Sequence, residues 1–558
     1  MATISAGGGF LRIFGKEDDA EKTTCSEKRI AAVFLFLAMG ILVVIVSLYV
    51  ASGSRQYQEA AAQQSTYTIT AGVSRGTIYD TNLQPLINAT SQTVAAVAPS
   101  PDAANAITAA FSSETGSSFY SMLSAGTPFL LTVPKETALS GAGIDLFSVP
   151  DRYGEEPIAV HTIGYLDADG IGVAGIEMAF DDVLREYDGK ATVQYPVDAL
   201  GHVLSPEERI VADTLSKSRG GVVLTLDQDL QRSAERIAKR HLQSGAVVVT
   251  EVATGKLRAL VSLPDFSPEN VAAALEDQEA APLLNRALEA YPVGSVFKLV
   301  SAAAALESGI SPLREYTCTG GLTVSGAVFH CFDGIAHGTL NMRGAIAASC
   351  NGYFIDLMQD VPVPVFLKTA QSFGFGQKMQ LAKGMVSAPG VLPEKSELQI
   401  SRALANFSFG QGELTASPLQ IASLTNTIAS GGICTELSLI EGFVDADGAW
   451  TAAEVKKSPK RILSADTAAQ LQAFMEEAVE SGTAANGKPM SGGAGAKTGT
   501  AQTGRYRSGE EVLDLWYTGY FPKENPQYTI TVLADERIAS EGSPCAKVFA
   551  ALANAYHL

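Results

Sequence analysis

Residues 30–51 read IAAVFLFLAMGILVVIVSLYVA, 22 positions without a charge. Such a stretch, apolar on every side of a helix, needs a large core or lipid around it. At about 1.5 Å per residue it covers roughly 30 Å, the hydrocarbon thickness of a bilayer. It is longer than the apolar region of a cleaved signal peptide, so the expectation is one uncleaved membrane anchor. Arg12, Lys16, Lys22, Lys28 and Arg29 precede the span, whereas Arg55 is the one basic residue in the twenty positions after it. Positive-inside bias keeps the N-terminus in the cytoplasm and places everything after about residue 52 outside. That location disfavours ATP-dependent chemistry.

The remaining chain is long enough for two or three domains. The formal net charge of −19, with no basic run, disfavours a nucleic-acid partner, which needs clustered Lys and Arg. Residues 52–65, with Gln56 to Gln64 at their centre, read as a polar stalk after a cytoplasmic tail (1–29) and the membrane helix (30–51). From 66 to 210, short β-like runs (TYTITAGV, TVAAVAP, FLLTVP) alternate with Gly- and Asp-rich turns, and an amphipathic helix is expected at Glu177–Tyr187. From 211 to 558 the pattern changes. GGVVLTLD reads as a strand, QDLQRSAERIAKRHL as a helix, and GAVVVTEVATGKLRALVS as a hairpin turning at Ala253-Thr254-Gly255. Helical patterns follow over Lys298–Ser308, Met342–Met358, Pro418–Ser430 and Ala465–Ser481. Three strand-like runs close the chain. The expectation is an α+β fold whose sheet joins strands from opposite ends of this region, with a helical lobe beside it.

Three short motifs carry chemistry. Ser295-Val296-Phe297-Lys298 is the chain's one S-x-x-K. A serine capping a helix and an exposed lysine would look the same. On a helix, however, residues three apart share a face, so hydroxyl and amine can meet at the electropositive N-terminus. A desolvated lysine there has a lowered pKa and can take the serine proton. Ser349-Cys350-Asn351 lies 54 residues on; helix capping explains it equally well, or a second hydroxyl for proton transfer and an orienting amide. Lys497-Thr498-Gly499-Thr500 sits in a glycine-flanked β-like run. There a lysine and two threonines can hold a carboxylate, and Gly499 allows close approach of an extended substrate. In this order, S-x-x-K, S-x-N and K-T-G form the motif set of penicillin-interacting serine enzymes. The six cysteines form no C-x-x-C and the six histidines are scattered, so no compact zinc-ligand set is visible. Cys318 and Cys331 read either as a disulfide pair or as two separate thiols.

Beyond these motifs the chain resembles the class B penicillin-binding proteins, the membrane-anchored peptidoglycan D,D-transpeptidases. NRALEAYPVGSVFK (285–298), HGTLNMRGAIAASCNGYF (337–354), FGQGELTASPLQIA (409–422), KTGTAQTG and WYTGYFP carry the likeness. RGTIYD (75–80) and GVAGIEMAFDDVL (172–184) are similar to two motifs of that family's non-catalytic pedestal. Thr81-Asn82-Leu83 replaces the family's Arg-Asn-Gly, a change expected to loosen a pedestal turn. Val293 and Val296 also depart from the pattern without removing a catalytic atom. No Glu-Asp-x-x-Phe glycosyltransferase signature is present.

The resemblance implies a serine β-lactamase-like transpeptidase domain (211–558) with an antiparallel sheet and a helical lobe, preceded by a mixed α/β pedestal of the dimerisation type (66–210). It implies acyl transfer on D-Ala-D-Ala stem peptides: Ser295 as nucleophile, Lys298 as proton acceptor, Ser349 as proton relay, Asn351 as orienting amide. Lys497, Thr498 and Thr500 would hold the terminal carboxylate, and the Ser295 and Thr500 N–H groups the oxyanion. It implies β-lactams as inhibitors, a SEDS-type glycosyltransferase partner, and neither metal nor organic cofactor. A β-lactam sensor or β-lactamase, a non-catalytic cell-wall scaffold and a D,D-carboxypeptidase share parts of this pattern.

Overall fold

The computed structural model describes residues 18–53, 65–111, 113–454 and 458–556. Of the expected stalk, 52–65, residues 54–64 lie outside the described residues, and 52–53 end the long helix. The apolar stretch forms part of a helix, Asp18–Gly53, and its span Glu27–Val50 is long and apolar enough to cross a membrane. Phe34, Phe36 and Leu48 on it are exposed to the surroundings. So much uncovered apolar surface suits lipid and not water.

Two three-stranded antiparallel sheets come next. One runs Thr66–Ser74, Gly189–Pro196, Ile210–Asp213; the other Phe129–Val133, Thr90–Val97, Ile144–Asp151. They share a core of Ala71, Val94, Ala96, Phe147, Val149, Val193 and Tyr195. Gly72 is required at their crossing, because a Cβ there would lie 2.4 Å from Val149. Helix Pro101–Ala110 covers the other face of the second sheet through Ala103 and Ile107. The helix expected over Glu177–Tyr187 is instead two, Gly175–Ala179 and Asp181–Glu186. The break falls at Phe180, whose ring packs edge-on against Phe443, with centroids 5.8 Å apart.

The two pedestal motifs meet at the junction with the second half of the chain. Glu177, fully buried, accepts from Nε and Nη2 of Arg152 at 2.6 and 2.7 Å, and Arg75 Nε lies 3.3 Å away. Arg75 also pairs with Asp181 at 2.6 Å. Asp80 Oδ1 accepts the Asn82 and Gln84 N–H groups at 2.8 and 2.7 Å, while Oδ2 accepts that of Gln228 at 3.1 Å. Leu83 takes a left-handed φ of 60° here, yet the turn is closed by its N–H to the Asp80 carbonyl at 3.1 Å. The departure from Arg-Asn-Gly therefore has not opened the turn. Strand Thr77–Tyr79 pairs in parallel with Gly221–Leu224, which continues to Ile440–Val444 and Trp450–Ala452. Ile78, Ile176 and Leu184 belong to the same apolar core as Val222, Leu224 and Val248, so burial is continuous across this junction.

The second half is built on a five-stranded antiparallel sheet in the order Leu257–Leu263, Gly245–Glu251, Tyr528–Ile538, Glu510–Phe521, Gly495–Arg507. As expected, the hairpin strand Gly245–Glu251 pairs with a strand from the C-terminal end. Side chains alternate between two covered faces: Val247 and Val249 enter one core, Ala246 and Val248 the other. This double burial explains why the run reads as continuously apolar. Helices Gln228–His241 and Cys545–Tyr556 cover the first face. Pro418–Ala429, buried on all sides, and Ala465–Glu480 cover the second.

Candidate active site

Ser295 lies on a 3-10 turn, Gly294–Phe297, that runs directly into helix Lys298–Glu307. Gly294 has φ 61°, and a Cβ on it would lie 2.5 Å from the Thr500 carbonyl. Glycine at this position lets the turn abut strand Gly495–Arg507 at the sheet edge. Gly499 serves the same contact: its Cβ would meet Val296 at 2.9 Å and Trp516 at 3.0 Å. Glycine at 499 thus permits a close approach of strand to serine turn.

The expected helix over Met342–Met358 is interrupted. Helices Met342–Ala347 and Asn351–Leu357 are separated at Ser349, whose φ is 55°. The break turns Ser349 toward two lysines. Lys298 Nζ lies 3.0 Å from Ser295 Oγ and 2.7 Å from Asn351 Oδ1, and 2.6 and 3.1 Å from the carbonyl and hydroxyl oxygens of Ser349. Lys497 Nζ reaches the same hydroxyl at 3.0 Å and the Thr498 carbonyl at 2.9 Å. Both lysines are fully buried, while Ser295 is half-buried. Burial lowers the Lys298 pKa to about 7. Burial first, and the Lys298 charge second, push Lys497 well below the ordinary lysine range. Desolvation disfavours charge on either amine, so the pair offers a free base near neutral pH beside a serine hydroxyl.

Ser295, Lys298, Ser349, Asn351 and Lys497 are joined through their side chains, Thr498 meets Lys497 through its backbone carbonyl, and Gly499 and the Thr500 carbonyl back the serine turn. Thr498 and Thr500 are the half-exposed residues of the KTGT run, alternating with buried Lys497 and Gly499. Two neighbours were not anticipated. Gln411 Nε2 donates to the Thr500 carbonyl at 3.4 Å, and Thr483 Oγ1 lies 3.0 Å from Thr498 Oγ1. Gln411 stands within the FGQGELTASPLQIA motif, so a signal existed; Thr483, in a loop after Ala465–Glu480, carried none. A hollow lined by His161, Glu235, Lys239 and Asp265 is formed by other residues and includes none of these.

The cysteines resolve one open choice and require one correction. Cys318 and Cys331 are free, with sulfurs 3.6 Å apart, well beyond the roughly 2.05 Å of a disulfide. They are also not scattered. Cys318, Cys331, His337 and Cys350 bring their ligand atoms within 4.8 Å of one another, although no two are closer in sequence than six positions. Strand pairing, invisible in the spacing, makes the set compact.

The known proteins that resemble this chain agree with the geometry. Residues 245–554 match the penicillin binding protein transpeptidase domain family. The peptidoglycan D,D-transpeptidase PbpA of Mycolicibacterium smegmatis is 31% identical over 355 residues, 59% of this chain and 70% of that protein. Stage V sporulation protein D of Bacillus subtilis is 28% identical over 395 residues, 67% of this chain and 58% of its own length. Penicillin-binding protein A of Mycobacterium tuberculosis, solved as a penicillin G acyl-enzyme complex, superposes with a TM-score of 0.64 at 21% identity, over 87% of this chain and all of that one. With this fold, these motifs and these relatives, the chain belongs to the penicillin-binding protein transpeptidase family, in its class B branch.

Proposed function

We propose that the protein cross-links peptidoglycan as a serine D,D-transpeptidase, with Ser295 attacking the carbonyl between the two terminal D-alanines of a stem peptide. The observation that carries this reading is the unbroken chain of contacts Ser295–Lys298–Ser349–Lys497. Lys298 as free base accepts the Ser295 proton, and the bond from Oγ to the carbonyl carbon forms. Ser349, between the two amines, passes a proton to the leaving D-alanine nitrogen. Asn351 orients the donor peptide, and Lys497, Thr498 and Thr500 hold its carboxylate. The oxyanion is held by the N–H groups of Ser295 and Thr500, each worth about 3 kcal/mol. In support, the Thr500 carbonyl accepts from Gln411, a residue outside the sheet. In an antiparallel strand the N–H and carbonyl of one residue point the same way. The acyl group then passes to an amine of a neighbouring stem.

The wider organisation is part of the proposal: a cytoplasmic N-terminus (1–29), a single membrane helix (30–51), a stalk (52–65), an extracytoplasmic pedestal (66–210) and the transpeptidase unit (211–558), with a SEDS-type glycosyltransferase as partner. Incubation of the full-length protein with benzylpenicillin tests the chemistry. The expected product is one penicilloyl adduct per chain, persisting for many minutes, on the tryptic peptide Ala287–Lys298, in which Ser295 is the single serine. An adduct elsewhere, or none in folded protein, overturns the nucleophile. Rapid turnover of the adduct would indicate a β-lactamase, and release of D-alanine without cross-links a carboxypeptidase.

The lowered lysine pKa sets a pH dependence. Below about pH 7 Lys298 is protonated and cannot accept the serine proton. The second-order rate of penicilloylation should therefore rise with pH and level off above an inflection near 7. Stopped-flow acylation with a fluorescent penicillin between about pH 5 and 9 measures it; a flat profile contradicts the role of Lys298 as base.

A further inference from the structure

We propose that Cys318, Cys331, His337 and Cys350 bind one zinc ion, which pins the Ser349–Asn351 turn of the active site to the hairpins beside it. The four residues come from separate segments. Cys318 ends strand Tyr316–Cys318, Cys331 follows the hairpin Gly321–Val324/Ala327–His330, and His337 precedes strand Gly338–Leu340. Cys350 caps helix Asn351–Leu357. The three sulfurs are buried and the imidazole is half-buried.

Three of the six ligand–ligand separations are close to the edges of a tetrahedron around zinc, and all six are within 4.8 Å. With zinc about 2.3 Å from each sulfur and about 2.0–2.1 Å from the nitrogen, the edges are about 3.8 Å between sulfurs and about 3.6 Å from sulfur to nitrogen. Here Cys318 and Cys331 are 3.6 Å apart, Cys331 and Cys350 3.8 Å, and Cys318 Sγ and His337 Nδ1 3.4 Å. Backbone N–H groups are also directed at the sulfurs: Gly320 to Cys318 and Tyr353 to Cys350, each at 3.4 Å. Such donors favour the thiolate that a metal requires. Three thiolates and one imidazole select a soft or borderline ion, and four protein ligands leave no open position, the pattern of a structural zinc site. A packing role alone would need neither a histidine nitrogen facing a sulfur nor a third thiol.

The link to the active site is direct. Cys350 stands between Ser349 and Asn351, whose oxygens contact Lys298. The Asn351 amide also donates to the carbonyl of His330, the residue before Cys331, at 2.8 Å. A metal here would fix both neighbours of Cys350 from behind.

Full-length protein purified in detergent without added metal should carry about one zinc per chain by elemental mass spectrometry. Cys318→Ser and His337→Ala should each lower that content at least about tenfold, while Cys434→Ser leaves it unchanged. If those ligand variants fail to fold, cobalt titrated into metal-stripped wild type decides: intense tetrahedral thiolate–cobalt bands support the site, and their absence overturns it. Metal-free purified protein that does not take up zinc, zinc retained by both variants, copper or iron in its place, or a Cys318–Cys331 disulfide also overturns it. These readouts do not depend on the proposed enzymatic activity. The pinning role does rest on acylation of Ser295: removal of zinc should slow penicilloylation at least about tenfold, and zinc should restore it. An unchanged rate in zinc-free protein rules out pinning.

Discussion

Lys298→Met should slow penicilloylation of Ser295 by about 10³-fold, within the range expected for loss of a general base. Methionine fills nearly the same length of the buried channel without an amine, so the change removes the base with little cavity. It also leaves Asn351 Oδ1 and the Ser349 carbonyl without the donor they have now. That costs about 1–3 kcal/mol of stability if no water enters, less than most folded domains possess. The thermal midpoint of the variant should therefore fall modestly while its rate collapses. Lys298→Ala confuses the two effects by opening a cavity beside Ser295, Ser349 and Asn351. The measurement is a pre-steady-state acylation rate, normalised to folded protein. A rate within tenfold of wild type would assign the base to another group, and Lys497, which shares the Ser349 hydroxyl, would be the first to test.

Glu177→Ala should cost about 3–5 kcal/mol, because it leaves the Arg152 guanidinium at an apolar junction without its carboxylate and Arg75 with Asp181 alone. Glu177 is fully buried, and the side chains of Arg75 and Arg152 are only 7% and 14% exposed. Those arginines also hold backbone carbonyls: Arg75 that of Gly170 at 3.2 Å, Arg152 that of Gly76 at 3.3 Å. Removing the carboxylate therefore loosens strand, helix and connector together. Glu177→Gln, which keeps the shape and one acceptor, should lose less. Denaturant unfolding of the full-length protein in detergent measures both, and the acylation rate of the molecules that remain folded should stay near wild type, since Glu177 makes no contact with the lysine pair. A loss below about 1 kcal/mol for Glu177→Ala would mean that water replaces the carboxylate and that the junction is wet.

Much of this organisation was legible because it depends on local pattern. An uncharged stretch of 22 residues determines a helix long and apolar enough to span a membrane without reference to anything else. Ser295 and Lys298 meet because helical spacing alone brings positions three apart onto one face. The strand-like alternation of the C-terminal runs likewise follows from period two. In these cases the interacting atoms lie within one element, so distance along the chain decides distance in space.

Tertiary structure decided the remainder, and for a common reason. The run from Met342 to Met358 has the composition of one helix, yet it breaks at Ser349 because the hydroxyl and carbonyl there are held by amines from two other segments. Phe180 divides another expected helix because its ring finds Phe443, more than 250 positions away. That Gly499 makes room for Val296 and Trp516 could not be read from its sequence neighbours. The thiols at 318, 331 and 350 looked dispersed until two short strand pairs folded their segments onto one point. The sequence by itself determined the long apolar helix, the meeting of Ser295 with Lys298 and the positions of most strands, all through local periodicity. Which glycines make room for neighbouring backbone, where the helices break and which cysteines meet depend on contacts between distant segments, and those exist only once the chain is packed.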